Sequence, residues 1–225
     1  LCGATAGGAT ANGAALAVPT WTNNGVVSLA DPTLRREVDD PETVTGARDV
    51  MNLYAALGCK PTWTCAPYQL AGGPKFGDHI AAAESNAVAF YNSAIGARTN
   101  KYGAYLDVAC AITGLAPFAG LHTDEGRKAS LHFSCACLPE KWLRGDIFFH
   151  LLGHHIGQRA GRRVPVISGL PKETTLDNLK ALCAAGAASG GIELLHAVGV
   201  TSEAPSLAAI SIAREELAVT RQDIE

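Results

Sequence analysis

Apolar and polar positions along the chain follow the periods of strands and helices in turn. In the first half they predict a buried strand, a capped helix, a short strand and a long helix, over 15–22, 40–56, 62–64 and the stretch from Asp78 to Gly96. Asp40, Pro41 and Glu42 form a typical helix start, and Gly58 follows the end of that helix. A loop rich in glycine and proline, 72–77, leads into the long helix.

The second half predicts a parallel sheet. A helix that runs to Thr113 is followed by a strand-like piece at 118–122, an alternating strand at 130–138 and an apolar helix at 147–157. The segments 163–169, 176–189 and 191–199 then form a strand–helix–strand unit, with strands at 164–167 and 192–195, which suggests a parallel pair with a right-handed crossover. A turn at 201–205 and a charged helical tail complete the pattern. The predicted fold class is α/β, with parallel sheets flanked by helices.

The predicted long helix has an unusual polar face. Short hydrogen-bonding side chains recur every seven residues in two neighbouring rows: Asp78, Ser85 and Asn92 in one, and His79, Asn86 and Ser93 in the other. Glu84 lies beside these rows. Such a face suits the wall of a cleft better than a solvated surface. The alternative is a polar helix face that packs against another domain.

An anion-binding group is predicted just past this helix. Arg98, Thr99 and Asn100 follow Gly96 and offer a fork of donors to a carboxylate or a phosphate. Cys65, a helix face of small polar residues and this fork together are typical of an active site. An ordinary surface arginine is the alternative.

Composition and charge exclude several classes of function. The chain has 225 residues, enough for one large domain or two lobes, and its formal net charge of −3 argues against a nucleic-acid or polybasic membrane surface. No apolar run is long enough to span a bilayer. Seven scattered cysteines favour a reduced compartment, the cytoplasm, with thiol or metal chemistry over a disulfide scaffold.

Cys65 is the strongest single candidate for chemistry. Pro67 restricts Ala66 to extended backbone, so the sulfur lies on a stiff turn as a potential nucleophile or metal ligand. Cys135 and Cys137 form a C-x-C pair on a predicted strand, which would put both sulfurs on one face; a buried pair is the alternative. The cysteines among alanines on predicted helices, Cys110 and Cys183, are interpreted as packed small hydrophobic residues.

Four histidines offer further chemistry. His150, His154 and His155 have helical spacing similar to that of a zinc site, although Leu151 stands where zinc peptidases carry a glutamate. A zinc hydrolase is therefore one rival function. His122 lies at the end of the predicted strand at 118–122 and is a candidate for a polar site.

Several short motifs, in order along the chain, carry a family resemblance. They are TCAPY at 64–68, ESNAV at 84–88, GARTN at 96–100, GLH at 120–122, SGG at 189–191 and HAVGVTSEAP at 196–205. From about Val18 to about Glu225, the chain resembles aconitase X. Several motifs in the right order make this resemblance more specific than any single motif.

The resemblance implies a reaction and a cofactor. Aconitase X proteins are hydro-lyases of the aconitase superfamily, and they include cis-3-hydroxy-L-proline dehydratase and mevalonate 5-phosphate dehydratase. An iron–sulfur cluster or mononuclear iron on cysteines is expected to act as a Lewis acid on the departing hydroxyl. Cys65 matches the family's first cysteine motif, and Cys137, or its neighbour Cys135, is the expected second ligand. The residues around Cys65 resemble the bacterial hydroxyproline branch, so cis-3-hydroxy-L-proline is the expected substrate, with mevalonate 5-phosphate as the alternative.

The expected site combines residues that bind substrate with candidates for the base. The substrate-binding residues are predicted to be Tyr68, Ser85, Asn86, Arg98, Thr99 and Asn100. His122 and Glu84 are the leading candidate bases within the chain, and His79 and the lysines are the other groups that could act as a base. The family, however, places a serine for this step in a small swivelling domain, which is an expected partner, fused or separate.

The ends of the chain predict a piece of a longer polypeptide, since it starts at Leu1 without Met and stops at Glu225. The predicted organisation is a flexible glycine-rich lead-in at 1–15, an aconitase-type lobe at 16–138, and a second α/β lobe with its tail at 139–225. The chain alone is not expected to be a working dehydratase. A non-catalytic relative that only binds a small anion is the rival of another class.

Overall fold

The structure, a computed structural model, describes residues 13–22, 25, 27, 28, 31, 40–103, 105–213 and 215–224. The chain divides into two compact units, Leu1–Gln69 with Tyr102–Ala116 and Leu70–Lys101 with Pro117–Glu225. The predicted lobe boundary after residue 138 falls inside the second unit, and that division stays a prediction. Within the described ranges, no helix has both the length and the apolar character that crossing a membrane requires.

The elements of the described residues are as follows. The helices are α1 (Pro41–Ala56), α2 (Ser85–Phe90), α3 (Leu106–Thr113), α4 (Glu140–Leu143), α5 (Asp146–Ala160), α6 (Leu176–Gly190) and α7 (Leu207–Ile210). The strands are β1 (Leu131–Ser134), β2 (Pro165–Ser168), β3 (His196–Ala197) and β4 (Glu216–Ala218). Tighter 3₁₀ turns cover Pro67–Gln69, Gly120–His122 and Arg221–Asp223, and a π-turn covers Tyr91–Ile95.

The first unit contains α1, which begins where its sequence predicts. The Asp40 carboxylate accepts hydrogen bonds from the backbone N–H groups of Glu42 at 3.1 Å and Thr43 at 3.2 Å. These bonds satisfy two of the donors that a helix start leaves without partners. Gly58, with a φ of 99°, follows the last turn and reverses the chain. The predicted helix at 40–56 is therefore confirmed.

The second unit is built on parallel strands in the order β3-β2-β1-β4. β1 pairs with β2 from Leu131 opposite Pro165 to Ser134 opposite Ser168, and β4 pairs with the other side of β1. β2 and β3 are parallel neighbours on either side of α6 in the chain, as the strand–helix–strand pattern predicted. The predicted α/β class, with parallel strands and flanking helices, is confirmed.

Helices α5 and α6 approach each other closely because glycines line their contact. A Cβ atom on Gly153 would lie 2.4 Å from the carbonyl oxygen of Leu182, and one on Gly190 would lie 1.7 Å from that of Gly157. Neither distance is sterically possible, so only glycine permits this approach. Both helices also bury apolar side chains in the core: Leu152 and Ile156 from α5, and Leu179 and Leu182 from α6.

The predicted long helix is wrong in its first part. Only α2 and the π-turn are helical, and the residues before α2 are extended. Ile80 N donates to Arg98 O at 3.0 Å, and Arg98 N donates to Asp78 O at 2.8 Å. Because this segment beyond the helix supplies backbone partners, 78–82 needs no helical turns. The predicted end is confirmed, since Gly96 closes the π-turn with a φ of 77°.

The strands predicted at 15–22, 62–64 and 118–122 are wrong within the described residues. Trp21 forms only an isolated bridge, with Lys60, and the first two segments are joined by the Thr22 hydroxyl, which accepts from Thr62 N at 2.9 Å and from Trp63 N at 3.1 Å. The third contains the 3₁₀ turn at Gly120–His122. Single isolated pairs form because these short apolar runs lie in turn-rich surroundings, where no neighbouring strand continues the ladder. Asn23, Asn24 and residues 1–12 of the lead-in lie outside the described residues.

Two predictions near the end of the chain are also corrected. The last strand of the strand–helix–strand unit is β3, not 192–195, because side chains of the π-turn bond the backbone of Glu193 and Leu195. Within its described residues, the tail predicted as helical contains the short α7 and the 3₁₀ turn Arg221–Asp223, and β4 between them extends the sheet. Val219 N donates to Ser134 O at 2.8 Å, which continues this pairing. Backbone hydrogen bonds to β1 thus determine the conformation of this segment, although its charge pattern favours a helix.

Candidate functional site

Arg127 is a buried guanidinium inside the second unit, with a side chain that is 2% exposed. Its Nε and Nη2 donate to the carboxylate of Glu203 at 2.6–3.0 Å. Nη1 donates to Asn92 Oδ1 and Leu121 O, both at 3.0 Å, and Nη2 donates to Asn92 O at 3.0 Å. Every N–H direction of the guanidinium therefore has an acceptor. Because a buried charge needs such complete pairing, Arg127 fixes the segments that carry its partners.

Asn92 is a second buried residue whose side-chain bonds are complete. Its Nδ2 donates to Thr99 O and Glu193 O, both at 2.8 Å, while Oδ1 accepts from Thr99 N at 3.0 Å and from Arg127. The residue lies in the π-turn, a wider helical turn that often occurs at functional sites. Asn92 therefore ties the end of its helix to two other segments, whereas the sequence predicted a position on a cleft wall.

Thr99 and Asn100 were predicted to contact substrate, and their side chains hold neighbouring backbone. The buried Thr99 hydroxyl donates to Asn100 O at 2.7 Å and accepts from Ala82 N at 3.2 Å. Asn100 Nδ2 donates to Ala119 O at 3.1 Å, and its Oδ1 accepts from Leu121 N at 2.8 Å. The Thr99 hydroxyl therefore holds two backbone segments together, and its contact with a substrate stays a prediction. Asn100 fixes the 3₁₀ turn that follows Ala119.

His79 and His122 form a stacked pair at the end of that turn. Their Nδ1 atoms lie 2.8 Å apart, and their rings are 8° from parallel at a centroid distance of 5.1 Å. One Nδ1 donates and the other accepts, so neutral rings share a single proton between these two atoms. Burial lowers the pKa of His122 first, and the charges of His79, Arg127 and Arg98 lower it further, which keeps His122 neutral at pH 7. His79 is exposed and links the buried imidazole to solvent.

Arg98, the predicted anion fork, lies next to this pair. Its Nη1 donates to His122 O at 3.1 Å, and its Nη2 lies 2.5 Å from Asp124 Oδ1 and 4.0 Å from Glu203 Oε1. The Arg98 side chain is 22% exposed and that of Asp124 is 85% exposed. The hydrogen bond and charge of Arg98 lower the pKa of Asp124. Since exposed ion pairs are weak, an incoming anion can replace Asp124 without a large loss of stability.

His196 supports the same network from β3. Its Nε2 donates to Arg127 O at 2.8 Å, because a carbonyl oxygen can only accept. Its Nδ1 is the one buried side-chain nitrogen or oxygen, among the residues that the structure describes, without a hydrogen-bond partner. Burial lowers the pKa of His196, so the ring remains neutral.

The other predicted substrate-binding residues and the second candidate base are half-buried. Glu84 directly precedes α2, and Ser85 and Asn86 form its first turn, where Asn86 Oδ1 accepts from Ala87 N at 2.9 Å. Tyr68 belongs to the first unit and lies in the 3₁₀ turn at its end. Contact between these residues and a substrate stays a prediction.

Cys65 lies in the first unit on a constrained turn and is exposed. Ala66 N donates to Thr64 Oγ1 at 3.0 Å, and Gln69 N donates to Ala66 O at 3.0 Å. Trp63 has a φ of 45°, a left-handed conformation that costs a non-glycine residue about 1–2 kcal/mol. The sulfur is therefore presented by a turn and not by a helix, as the sequence predicted.

The C-x-C pair is not on a strand as predicted, because β1 ends at Ser134 and both cysteines follow it. Cys135 is buried, and burial raises the pKa of its thiol to about 12, which disfavours the thiolate that a metal requires. Cys137 is exposed. The assignment of Cys65, Cys137 and Cys135 as metal ligands stays a prediction, and the burial of Cys135 makes it the least suited of the three. Among the described residues, no group of three or more His, Cys, Asp or Glu side chains is arranged to hold a metal ion.

The three clustered histidines do not converge. His150 and His154 are exposed on α5, whereas His155 is half-buried. His155 Nδ1 lies 3.6 Å from Asp223 Oδ1, and its ring packs edge-on against Phe133. This arrangement gives no support to the zinc-hydrolase interpretation.

Comparisons with known proteins cover both parts of the chain. A sequence model described as "Aconitase X first domain" matches residues 5–125, and one described as "Aconitase X second domain" matches residues 130–225. The chain belongs to the aconitase X family. The family predicted from short motifs is confirmed.

Relatives within the aconitase X family carry two names. The chain is 43% identical over 181 residues to the cis-3-hydroxy-L-proline dehydratase of Hypocrea jecorina. That match covers 79% of this chain and 30% of that protein. It is 39% identical over 197 residues to the protein of the same name from Pseudomonas aeruginosa, covering 87% of this chain and 33% of that protein. It is 42% identical over 166 residues to the phosphomevalonate dehydratase large subunit of Thermococcus kodakarensis. That match covers 74% of this chain and 42% of that protein.

A solved structure agrees with these sequence matches. The holo-form of aconitase X from Thermococcus kodakaraensis superposes with a TM-score of 0.82 at 35% identity, over 99% of this chain and 53% of that chain. The chain therefore spans about a third of the length of the hydroxyproline dehydratases and about half of the solved relative.

Sequence reasoning missed the Arg127–Glu203 pair in this aconitase X chain. The two residues are 76 positions apart, and nothing in either local segment indicates the other. The available signals were weak: Arg127 lies shortly before a buried strand, and Glu203 lies within the family motif at 196–205. The sequence also does not indicate that His79 pairs with His122 or that Asp124 pairs with Arg98.

Replacing Arg127 with Met should destabilise the protein strongly. The change leaves Glu203 and Asn92 buried without their partner, and removing one member of a buried ion pair costs about 3–5 kcal/mol. The free energy of unfolding, measured by urea denaturation, tests this expectation. The control is Arg144→Met, because Arg144 forms an exposed pair with Glu140 whose loss should cost less than about 1 kcal/mol. Equal losses in the two variants would contradict the structural role of Arg127.

Replacing His79 with Gln should raise the pKa of His122. The charge of His79 is the second cause of the lowered pKa, and burial, the first cause, remains. The pKa of His122 should therefore move towards 6.5 without reaching it, which histidine NMR signals followed against pH can measure. His150→Gln, a change at an exposed position on α5, should leave that titration unchanged. Since the folded-state pKa lies below the unfolded one, stability should fall as the pH drops below 6.5, and less so in His79→Gln. An unmoved titration would show that the pair is not coupled.

Proposed function

We propose that this chain forms part of a hydro-lyase of the aconitase X type, which removes water from a small hydroxy acid. Two observations together support the proposal. The chain matches both successive aconitase X domains, and its relatives are named as dehydratases. We favour cis-3-hydroxy-L-proline as the substrate and a pyrroline carboxylate as the product, because two of the relatives are named for that compound.

The reaction needs groups that handle a proton and a hydroxyl on adjacent carbons. In the proposed arrangement, Arg98 gives up its ion pair with Asp124 and binds the substrate carboxylate. The neutral His122 exchanges its proton through the exposed His79, which is the member of the pair that a substrate can reach. Glu84 is the second candidate for a base within the chain.

We propose Cys65 and Cys137 as two ligands of an iron–sulfur cluster or a mononuclear iron, because both are exposed cysteines. Such a group, when bound, would supply a Lewis acid for the departing hydroxyl. The described residues offer no complete ligand set, so other residues must complete it.

We further propose a small swivelling domain or subunit as a partner, with a serine as the principal base. The name "large subunit" borne by the Thermococcus kodakarensis relative supports a partner of this kind. The cytoplasm is the proposed location, because scattered cysteines suit a reducing compartment.

Mevalonate 5-phosphate is the alternative substrate. The phosphomevalonate dehydratase large subunit of Thermococcus kodakarensis is 42% identical to this chain, almost the identity of the fungal hydroxyproline enzyme. Arg98 would bind a phosphate as readily as a carboxylate. A non-catalytic relative that binds a small anion through Arg98 is the rival of another class.

The full-length enzyme, assayed together with its small subunit where that is separate, should turn over cis-3-hydroxy-L-proline and not mevalonate 5-phosphate. Turnover of the phosphate alone would contradict the substrate assignment. Binding of small carboxylates without turnover of either compound would favour the non-catalytic rival. As the comparison, residues 1–225 reconstituted with iron and sulfide are expected to be inactive. Comparable turnover from this shorter preparation would mean that the base lies within it, with the His79–His122 pair as the first place to look.

Replacing Cys65 with Ser should remove iron, because a hydroxyl is a poor ligand for iron compared with a thiolate. Iron content and visible absorption of the purified full-length protein measure the loss. Cys183→Ser is the matched control: Cys183 is buried on α6, where burial raises its pKa to about 12, so this change should affect packing and leave iron bound. Full iron occupancy in Cys65→Ser would show that the ligand assignment is incorrect.

A further inference from the structure

The ion pair between Arg98 and Asp124 combines a fixed cation with a solvent-exposed anion. Arg98 is held in place on the side away from solvent, because its Nη1 donates to the backbone oxygen of the buried His122 at 3.1 Å. Asp124 makes its contact at 2.5 Å from the solvent side, and its side chain is 85% exposed. The two opposite charges are therefore adjacent and both can be reached from solution.

The second carboxylate near Arg98 is not equivalent to Asp124. Glu203 lies 4.0 Å from Arg98 Nη2, but its oxygens already accept three hydrogen bonds from the buried Arg127. Its side chain is largely buried and committed to that pair. Of these two carboxylates, only Asp124 can turn towards a ligand without leaving a buried charge unpaired.

A cation next to an anion on the protein matches a ligand that carries an anionic group next to a cationic group. In cis-3-hydroxy-L-proline, the carboxylate and the ring ammonium are attached to the same carbon, so they would meet neighbouring protein groups. Mevalonate 5-phosphate carries a carboxylate and a phosphate and has no cationic group. A carboxylate beside the binding arginine therefore attracts the first compound and repels the second.

We propose that Arg98 and Asp124 act together as a zwitterion-binding pair, in which Arg98 binds the carboxylate of an α-imino acid and Asp124 binds its ring ammonium. This inference rests on the proposed function and assigns the choice of substrate class to Asp124. The resting ion pair holds both side chains near their binding positions, and the ligand replaces one ion pair by two. Asp124 is ionised at neutral pH, because Arg98 lowers its pKa.

A matched pair of ligands tests the proposal in the full-length enzyme. L-Proline and (S)-tetrahydrofuran-2-carboxylate have the same ring shape and carboxylate, and they differ in the ring ammonium that the second compound lacks. Both are measured as competitive inhibitors of cis-3-hydroxy-L-proline turnover. The wild type should prefer L-proline, and Asp124→Asn should reduce that preference about tenfold, which corresponds to the loss of one partly shielded charge pair.

Two further variants complete the experiment. Glu125→Gln removes the same charge from the next residue, whose exposed side chain has no described contact, and it should keep the wild-type preference. Asp124→Glu retains the charge and should restore part of the preference that Asp124→Asn loses. Asp124→Asn should also lower the KM for any turnover of mevalonate 5-phosphate, because a repelling charge is removed.

The outcomes separate the inference from the proposed function. If the wild type turns over cis-3-hydroxy-L-proline and Asp124→Asn keeps the preference for L-proline, the zwitterion pair is refuted while the proposed function stands. An equal loss in Glu125→Gln would also refute it, because the effect would then be a general one of net charge. If the wild type turns over mevalonate 5-phosphate alone, both the favoured substrate and the zwitterion pair are refuted.

Discussion

The need to neutralise one buried charge, the guanidinium of Arg127, sets the arrangement of the second unit. Its partners come from three separate parts of the chain: Asn92 in the π-turn, Leu121 in the 3₁₀ turn and Glu203 after β3. Since an unpaired guanidinium in the interior would cost several kcal/mol, these parts must meet at the same place. The same three parts carry or flank the residues of the candidate site. A structural requirement thereby fixes the geometry available for chemistry.

Two kinds of electrostatic environment lie side by side in this site. His122 and His196 are neutral because they are buried close to cations, whereas Arg98 and Asp124 keep their charges at the surface. A neutral imidazole can accept or donate a proton near pH 7, and a charged pair can orient a charged ligand. In the proposed function, the interior supplies groups that move protons, and the rim supplies groups that select and hold an anion.

The sequence predicted the parts of this structure that depend on local signals. The cap at Asp40, the stop at Gly96 and the parallel pair around α6 all follow from neighbouring residues. It did not predict the extended segment before α2, because Arg98, which bonds that segment, lies about twenty positions further along the chain. It also did not predict that β4 pairs with β1, because more than eighty positions separate the two strands. In the site, Arg98 and His122 were chosen for residue type and position. Burial of Thr99 and pairing of Arg127 with Glu203 depend on tertiary contacts that a single sequence does not reveal.

The two outer strands of the sheet have a consequence for association between molecules. β3 has two residues and β4 has three, so each edge presents only a few backbone groups that another strand could pair with. Long, flat edges are the usual starting point for sheet growth between chains, and short edges are one means by which natural proteins prevent it. Within the described residues, the edges of the parallel sheet therefore offer little backbone for edge-to-edge pairing.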